Sequence, residues 1–166
     1  AYPERTIAQV FTNSNSALAT EALTRQRRID ATGAIEAIER DGMSAVEALR
    51  VHPKHATRLP ADVHAELVAD AALIEPLAIA DSYRYLNPGS SVRDQIGNLT
   101  VPTMLACGRY EKRFIPHREF AETAITDLRV VDLEAGHAVN IQAADAFDAA
   151  TCEFFKEHLN ANREDS

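Results

Sequence analysis

An α/β fold is predicted by a change of character along the chain. Residues 1–90 carry helical signals, residues 91–160 read as β, α, β, α, and residues 161–166 form a polar tail. Three observations support the second assignment. Val101-Pro102-Thr103-Met104-Leu105-Ala106-Cys107 is a nearly continuous apolar run closed by Gly108; a shorter β-rich run over 128–133 holds Val130, Val131 and Leu133; and residues 143–159 are amphipathic at helical spacing. A continuous apolar run marks a strand buried on both faces, and strands alternating with helices predict parallel pairing through helical crossovers.

From the N-terminus, Pro3 suits a first helical turn, and Ile7, Val10 and Phe11 follow at helical spacing. Asn13 to Ser16 is a polar break rich in cap residues. A helix over about 17–29 places Leu18, Ala22 and Leu23 on one face. Asp30 or Thr32 caps the next helix, which carries Ile35 and Ile38 and ends at Gly42. Ser44 and Glu47 have capping-box spacing, and the helix they open stops before Pro53. Pro60 and Pro76 start two more helical segments, and Asn87-Pro88-Gly89-Ser90 is a turn.

In the second half, Pro102 lies near the start of its strand, where it costs no ladder bond. Gly108 to Ile115 is a polar loop. Pro116 opens a helix with Phe120, Ala121 and Ala124. In the last helix Phe147, Ala150, Phe154 and Leu159 mark an apolar face, widened by Ala146 and Phe155. The tail from Asn160 on is expected to fray.

Composition narrows the function. The chain has 166 residues, 46% of them hydrophobic, with 17 Lys+Arg against 25 Asp+Glu and a net charge of −8. An acidic chain without basic clusters argues against nucleic acid or an anionic membrane as partner. Arg25-Gln26-Arg27-Arg28 reads as a solvated helix face. Two cysteines, Cys107 and Cys152, both in apolar surroundings, suggest neither a disulfide framework nor a zinc site, so a reducing cytoplasm is expected. No apolar run is long enough to span a bilayer, and the first residues lack the features of a signal peptide. The absence of an initiator methionine fits either its removal before Ala1 or cleavage of a longer precursor.

Chemistry gathers at the carboxyl ends of strands in open α/β sheets. Strand 101–107 leads to Gly108-Arg109-Tyr110-Glu111, and strand 128–133 leads through Glu134 and Ala135 to Gly136-His137. Parallel strands would put both loops on one side, where Glu111 could accept the imidazole Nδ1–H and leave the other ring nitrogen free as a base.

The run Val-Pro-Thr-Met-Leu-Ala-Cys-Gly-Arg-Tyr-Glu, then a helix, a strand, Gly-His-Ala-Val-Asn and an amphipathic helix, resembles the C-terminal half of an α/β-hydrolase over residues 99–159. In that family the seventh core strand ends in a Gly-x-x-Asp/Glu acid loop, and Gly-His follows the eighth. The resemblance implies His137 as the base and Glu111, in place of the more usual Asp, as the acid. Some relatives place the acid after the sixth strand, which is expected upstream of this chain. The preceding helical stretch resembles the family's cap, inserted after that strand. The family's Gly-x-Ser-x-Gly nucleophile elbow is absent: none of the glycines at 33, 42, 89, 97, 108 and 136 frames one. Two strands also make a poor sheet, and 101–107 is too apolar to leave its edge bare. The expectation is therefore a fold incomplete without a second polypeptide, which would carry the nucleophile elbow and the earlier strands. The assembly would be a serine hydrolase acting on a small ester, lactone, amide or activated C–C bond.

The resemblance implies no cofactor and no metal. His52, His55 and His64 lack a metal-ligand spacing and read as solvated histidines. Cys107 reads as a small hydrophobe; Ser14, Ser16, Ser90 and Ser91 read as caps. Asn140 is a candidate to brace the His137 loop. Tyr83, Tyr85, Leu73 and Ile74 are open to two readings, as substrate-pocket lining or as core of the cap, so the substrate-binding residues are unknown. Two other functions are compatible with the same residues: a non-catalytic binding or regulatory module, and a cofactor-independent lyase or oxygenase using His137 as base.

Overall fold

A computed structural model describes residues 3–164. In chain order, the elements that matter for function are β1 (Gln9–Phe11), α1 (Glu21–Asp41), α2 (Met43–Ala48), α3 (Ala61–Ala71), α4 (Pro76–Asp81), β2 (Thr103–Gly108), α5 (Ile115–Ala124), β3 (Arg129–Leu133), α6 (Val139–Gln142) and α7 (Ala144–Glu164). They fall into two compact units. Ala19–Ser91 is helical, and the remaining described residues, on both sides of it in sequence, form a sheet unit.

The sheet has three parallel strands in the order β1-β2-β3. β2 is central and every residue in it is buried, as its apolar run predicts. Its side chains alternate between faces. Leu105 and Cys107 join Leu18, Ile96, Phe114, Ala121 and Ile125 in one cluster, whereas Ala106 joins Leu133, Ala135 and Val139 in another. The connection from β2 through α5 to β3 is the predicted crossover, and Pro116 occupies the first turn of α5.

β1 corrects the expectation of helix over the first residues. Val10 and Phe11 keep a helix-like spacing with Ile7, but Gln9–Phe11 pairs in register with Thr103–Leu105. Long-range pairing outweighs a local pattern only a few residues long. The edge of β2 that a second polypeptide was expected to cover is covered by β1 from within the same chain, and β1 and β3 form the two sheet edges. Residues 3–18 therefore pack with the sheet rather than with the helical stretch.

The helical unit also departs from expectation. α1 is one continuous helix, not two. Thr20 caps it by accepting from Leu23 N, and the cap residues expected to split it are satisfied inside it: Gln26 Nε2 donates to Asp30 and Thr32 Oγ1 to Arg28 O. Gly42 ends it with φ 59°, a left-handed value suited to glycine. The Ser44–Glu47 capping box does not form. Gly42 is the N-cap of α2, Ser44 Oγ donates to Asp41 O, and Glu47 pairs with Lys54. Ile38, Val46 and Ala80 form this unit's core. Leu73, Ile74 and Tyr85 are exposed, which removes them from the cap-core reading.

In α7, Phe154 is buried, but Leu159, expected on the apolar face, is 46% exposed. The helix continues to Glu164, into the stretch expected to fray, and residues 165–166 lie outside the described residues. Cys152 is exposed rather than apolar-packed. Among the described residues no helix is long and apolar enough to cross a membrane.

Candidate active site

The loops that follow β2 and β3 run side by side. Arg109 N donates to Leu133 O and Tyr110 N to Ala135 O, both at 2.9 Å, continuing the strand pairing past the end of the sheet. Glu111 N then turns back to Gly108 O at 3.0 Å, which aims the Glu111 side chain across the loop. The approach is possible because position 108 is glycine: a Cβ there would lie 1.9 Å from Gly136 O and 2.6 Å from Ala135 O. Outside this backbone pairing, Arg109 and Tyr110 both bind Glu134, at 2.5 and 2.6 Å.

His137 and Glu111 are brought together. His137 Nδ1 stands 3.5 Å from Glu111 Oε2, an ion-pair separation just beyond an ordinary hydrogen bond. Glu111 is 16% exposed and His137 66%, so the carboxylate is enclosed and the imidazole is accessible to a reacting group.

The residues that brace this arrangement were not legible beforehand. Gly136 N donates to Gln142 Oε1 at 2.5 Å, from the short helix α6. Asn13, just beyond β1, is 1% exposed; its amide reaches Gly108 N, Gly136 O and His137 O. Asn140, the residue expected to brace the loop, is exposed in α6. The signal for Asn13 is its position after a strand, and the spacing of Ile7, Val10 and Phe11 predicts a helix there instead. β1 is a strand ahead of the helical unit within this chain, where the sequence predicts none. The residues after β1, Thr12 to Ser16, include no carboxylate, and Glu111 is the carboxylate that faces His137 Nδ1.

Other candidates stay apart from this pair. The Cys107 thiol is buried, and burial pushes its pKa up to about 11, the behaviour of an inert core thiol. His52 is buried, not solvated; its Nδ1 caps a short turn by accepting from Lys54 N. His55 binds Glu47 O. Among the described residues no group of three or more His, Cys, Asp or Glu side chains could hold a metal ion. Ser14 accepts from Ala17 N across a turn and caps no helix.

Comparison with known proteins settles the fold. The structure of MenH from S. aureus superposes with a TM-score of 0.79 at 18% identity, covering 92% of this chain and 59% of that one. The chain has the fold of the C-terminal part of an α/β-hydrolase. An enol-lactonase from Burkholderia xenovorans gives a TM-score of 0.68 at 22% identity over 93% of this chain and 58% of its own. An esterase from Thermogutta terrifontis gives 0.65 at 16% identity over 95% and 58%. In sequence, the chain is 24% identical over 159 residues to a Bacillus subtilis (strain 168) protein provisionally named 2-succinyl-6-hydroxy-2,4-cyclohexadiene-1-carboxylate synthase. That match takes in 92% of this chain and 58% of the relative, so the chain spans little more than half of the relative's length. No protein-family model matches. The α/β-hydrolase sheet is thus present here as three parallel strands, with the helical unit inserted between β1 and β2.

Proposed function

We propose that this chain supplies the base and the acid of an α/β-hydrolase-type serine hydrolase acting on a small ester, lactone, amide or activated C–C bond. The observation that carries the reading is the approach of Glu111 to His137 Nδ1 on neighbouring strand-end loops. His137 is the general base. With Nδ1–H held towards the carboxylate, Nε2 takes the proton of a serine hydroxyl as its oxygen attacks the substrate carbonyl, then returns that proton to the leaving group. Glu111 orients the ring and stabilises the imidazolium. The serine and the oxyanion-hole donors come from polypeptide outside these 166 residues, supplied by a second chain whose strands pair along the open edge of β1. A cytoplasmic location is part of the proposal, supported by two unpaired cysteines.

A second reading is favoured by one observation, the relative's name as a carboxylate synthase. The same base could abstract a proton from carbon and drive an elimination without cofactor. Product identification separates the two.

The test is made on the native assembly containing this chain. Comparing its native and denatured masses reveals a partner, which should carry a Gly-x-Ser-x-Gly segment and react with a fluorophosphonate. His137→Ala should lower kcat/KM by about 10⁴-fold or more. A fully active His137→Ala assembly would sink the assignment, and a stable monomer with the activity of the whole would sink the partner.

A further inference from the structure

We infer that Asn13 is a positioning residue for His137 and Glu111, setting the backbone from which both side chains emerge. The inference rests on the proposed roles of that pair and adds the group that aligns them. Asn13 follows β1, is 1% exposed, and spends its carboxamide on three backbone groups. Nδ2 donates to Gly136 O at 3.0 Å and to His137 O at 3.1 Å, and Oδ1 accepts from Gly108 N at 3.1 Å. Two carbonyls need donors and one N–H needs an acceptor, so only one orientation of the amide satisfies all three.

The placement gives the bonds their meaning. Two successive carbonyls held by one NH₂ group fix the peptide plane on each side of His137, and therefore the direction in which its side chain leaves. The Gly108 N–H held by Oδ1 anchors the turn whose other end is Glu111, through Glu111 N to Gly108 O. His137 itself is largely exposed and has little packing to hold its ring. The backbone must therefore hold the alignment, and Asn13 ties it from a third strand end. Aspartate has the same shape but, ionised, no donor; it would turn an acceptor on two carbonyls.

The experiment compares wild type, Asn13→Asp and His137→Ala in the assembly that carries the nucleophile. Asn13→Asp should lower kcat by about 10²-fold, the loss expected for a displaced catalytic group, while KM stays within about threefold. The ¹⁵N signals of the His137 ring should shift in the same variant, reporting altered contact of Nδ1 with Glu111. In the wild type, which needs no variant to fold, the Asn13 side-chain NH₂ protons should exchange slowly with solvent. Fast exchange of those protons would overturn the inference. So would an Asn13→Asp protein with unchanged kcat and unchanged His137 signals, or one that loses activity only in proportion to its unfolded fraction. If His137→Ala keeps full activity, the base assignment falls instead, and the His137 ring signals in Asn13→Asp still decide whether Asn13 aligns the imidazole.

Discussion

Asn13, a polar side chain, is 1% exposed; Leu73, an apolar one, is 84% exposed. The first belongs to the sheet unit and the second to the helical unit, and they summarise how differently the two are specified. At the strand ends, polar groups meet one another. Asn13 binds three backbone groups, Gln142 a fourth, and Glu111 faces His137. In Ala19–Ser91, the small core of Ile38, Val46 and Ala80 is surrounded by exposed ion pairs such as Arg25–Glu21 and Arg40–Asp41, which contribute little stability. Leu73, Leu77, Tyr85 and Leu86 are left in solvent. The sheet unit fixes a geometry, whereas the helical unit fixes a scaffold and leaves its surface open.

The sharpest way to break this contrast is Gly108→Ala. Because the new methyl would meet backbone oxygens at 1.9 and 2.6 Å, no rotamer change relieves it, and the Gly136-His137 loop must move. A loss of about 3 kcal/mol or more is expected in denaturant unfolding, along with a shifted His137 imidazole signal. Near-wild-type stability would mean that the strand-end loops are not held as closely as the contrast requires. Ile38→Ala is the matching test of the other unit. Removing a side chain that is 1% exposed should cost about 2–4 kcal/mol. Because its core cluster is separate from those around β2, hydrogen exchange should quicken in α1 and α4 while the β2 amides stay protected. Equal quickening in both units would erase the distinction.

What was legible in the sequence follows the same division of causes. β2, α5, β3 and α7 could be read because each repeats its signal over several residues: a run apolar enough to require burial on both faces, or an apolar face recurring at helical spacing. The Gly108-Glu111 and Gly136-His137 loops were legible as ends of those elements. β1 was not, because three residues cannot establish a period and its strand state is set by Thr103–Leu105, far along the chain. Asn13 was missed for the same reason, since its partners lie 95 to 124 residues away. The split expected in α1 failed because Asp30 and Thr32 are cap residues by type, yet each also bonds within the helix at i, i+4 spacing. Local chemistry marks where an element can end; only tertiary context decides whether it does.

The smallest expected effect tests how dry the sheet interior is. Cys107 lies in the all-buried β2, and Cys152 is exposed on α7. An alkylating reagent at pH 8 should modify Cys152 in the folded protein and Cys107 only after unfolding. The raised pKa of Cys107 also carries a stability consequence. The folded thiol holds its proton to about 11, against 9.0 for an ordinary cysteine, so between these values the unfolded chain binds fewer protons than the folded one. Stability from this group is therefore level below pH 9 and falls as the pH rises towards 11, by an amount on the order of 2 kcal/mol. Other groups titrate in the same range, so the informative quantity is the difference between wild type and Cys107→Ala across it. Cavity formation should lower the variant's stability at every pH, whereas the thiol's contribution should narrow the gap as the pH climbs. A gap that stays constant from pH 8 to 11, or Cys107 alkylated as fast as Cys152 in the folded protein, would mean that water reaches β2 and that the sheet unit is more open than its strand-end hydrogen bonds imply.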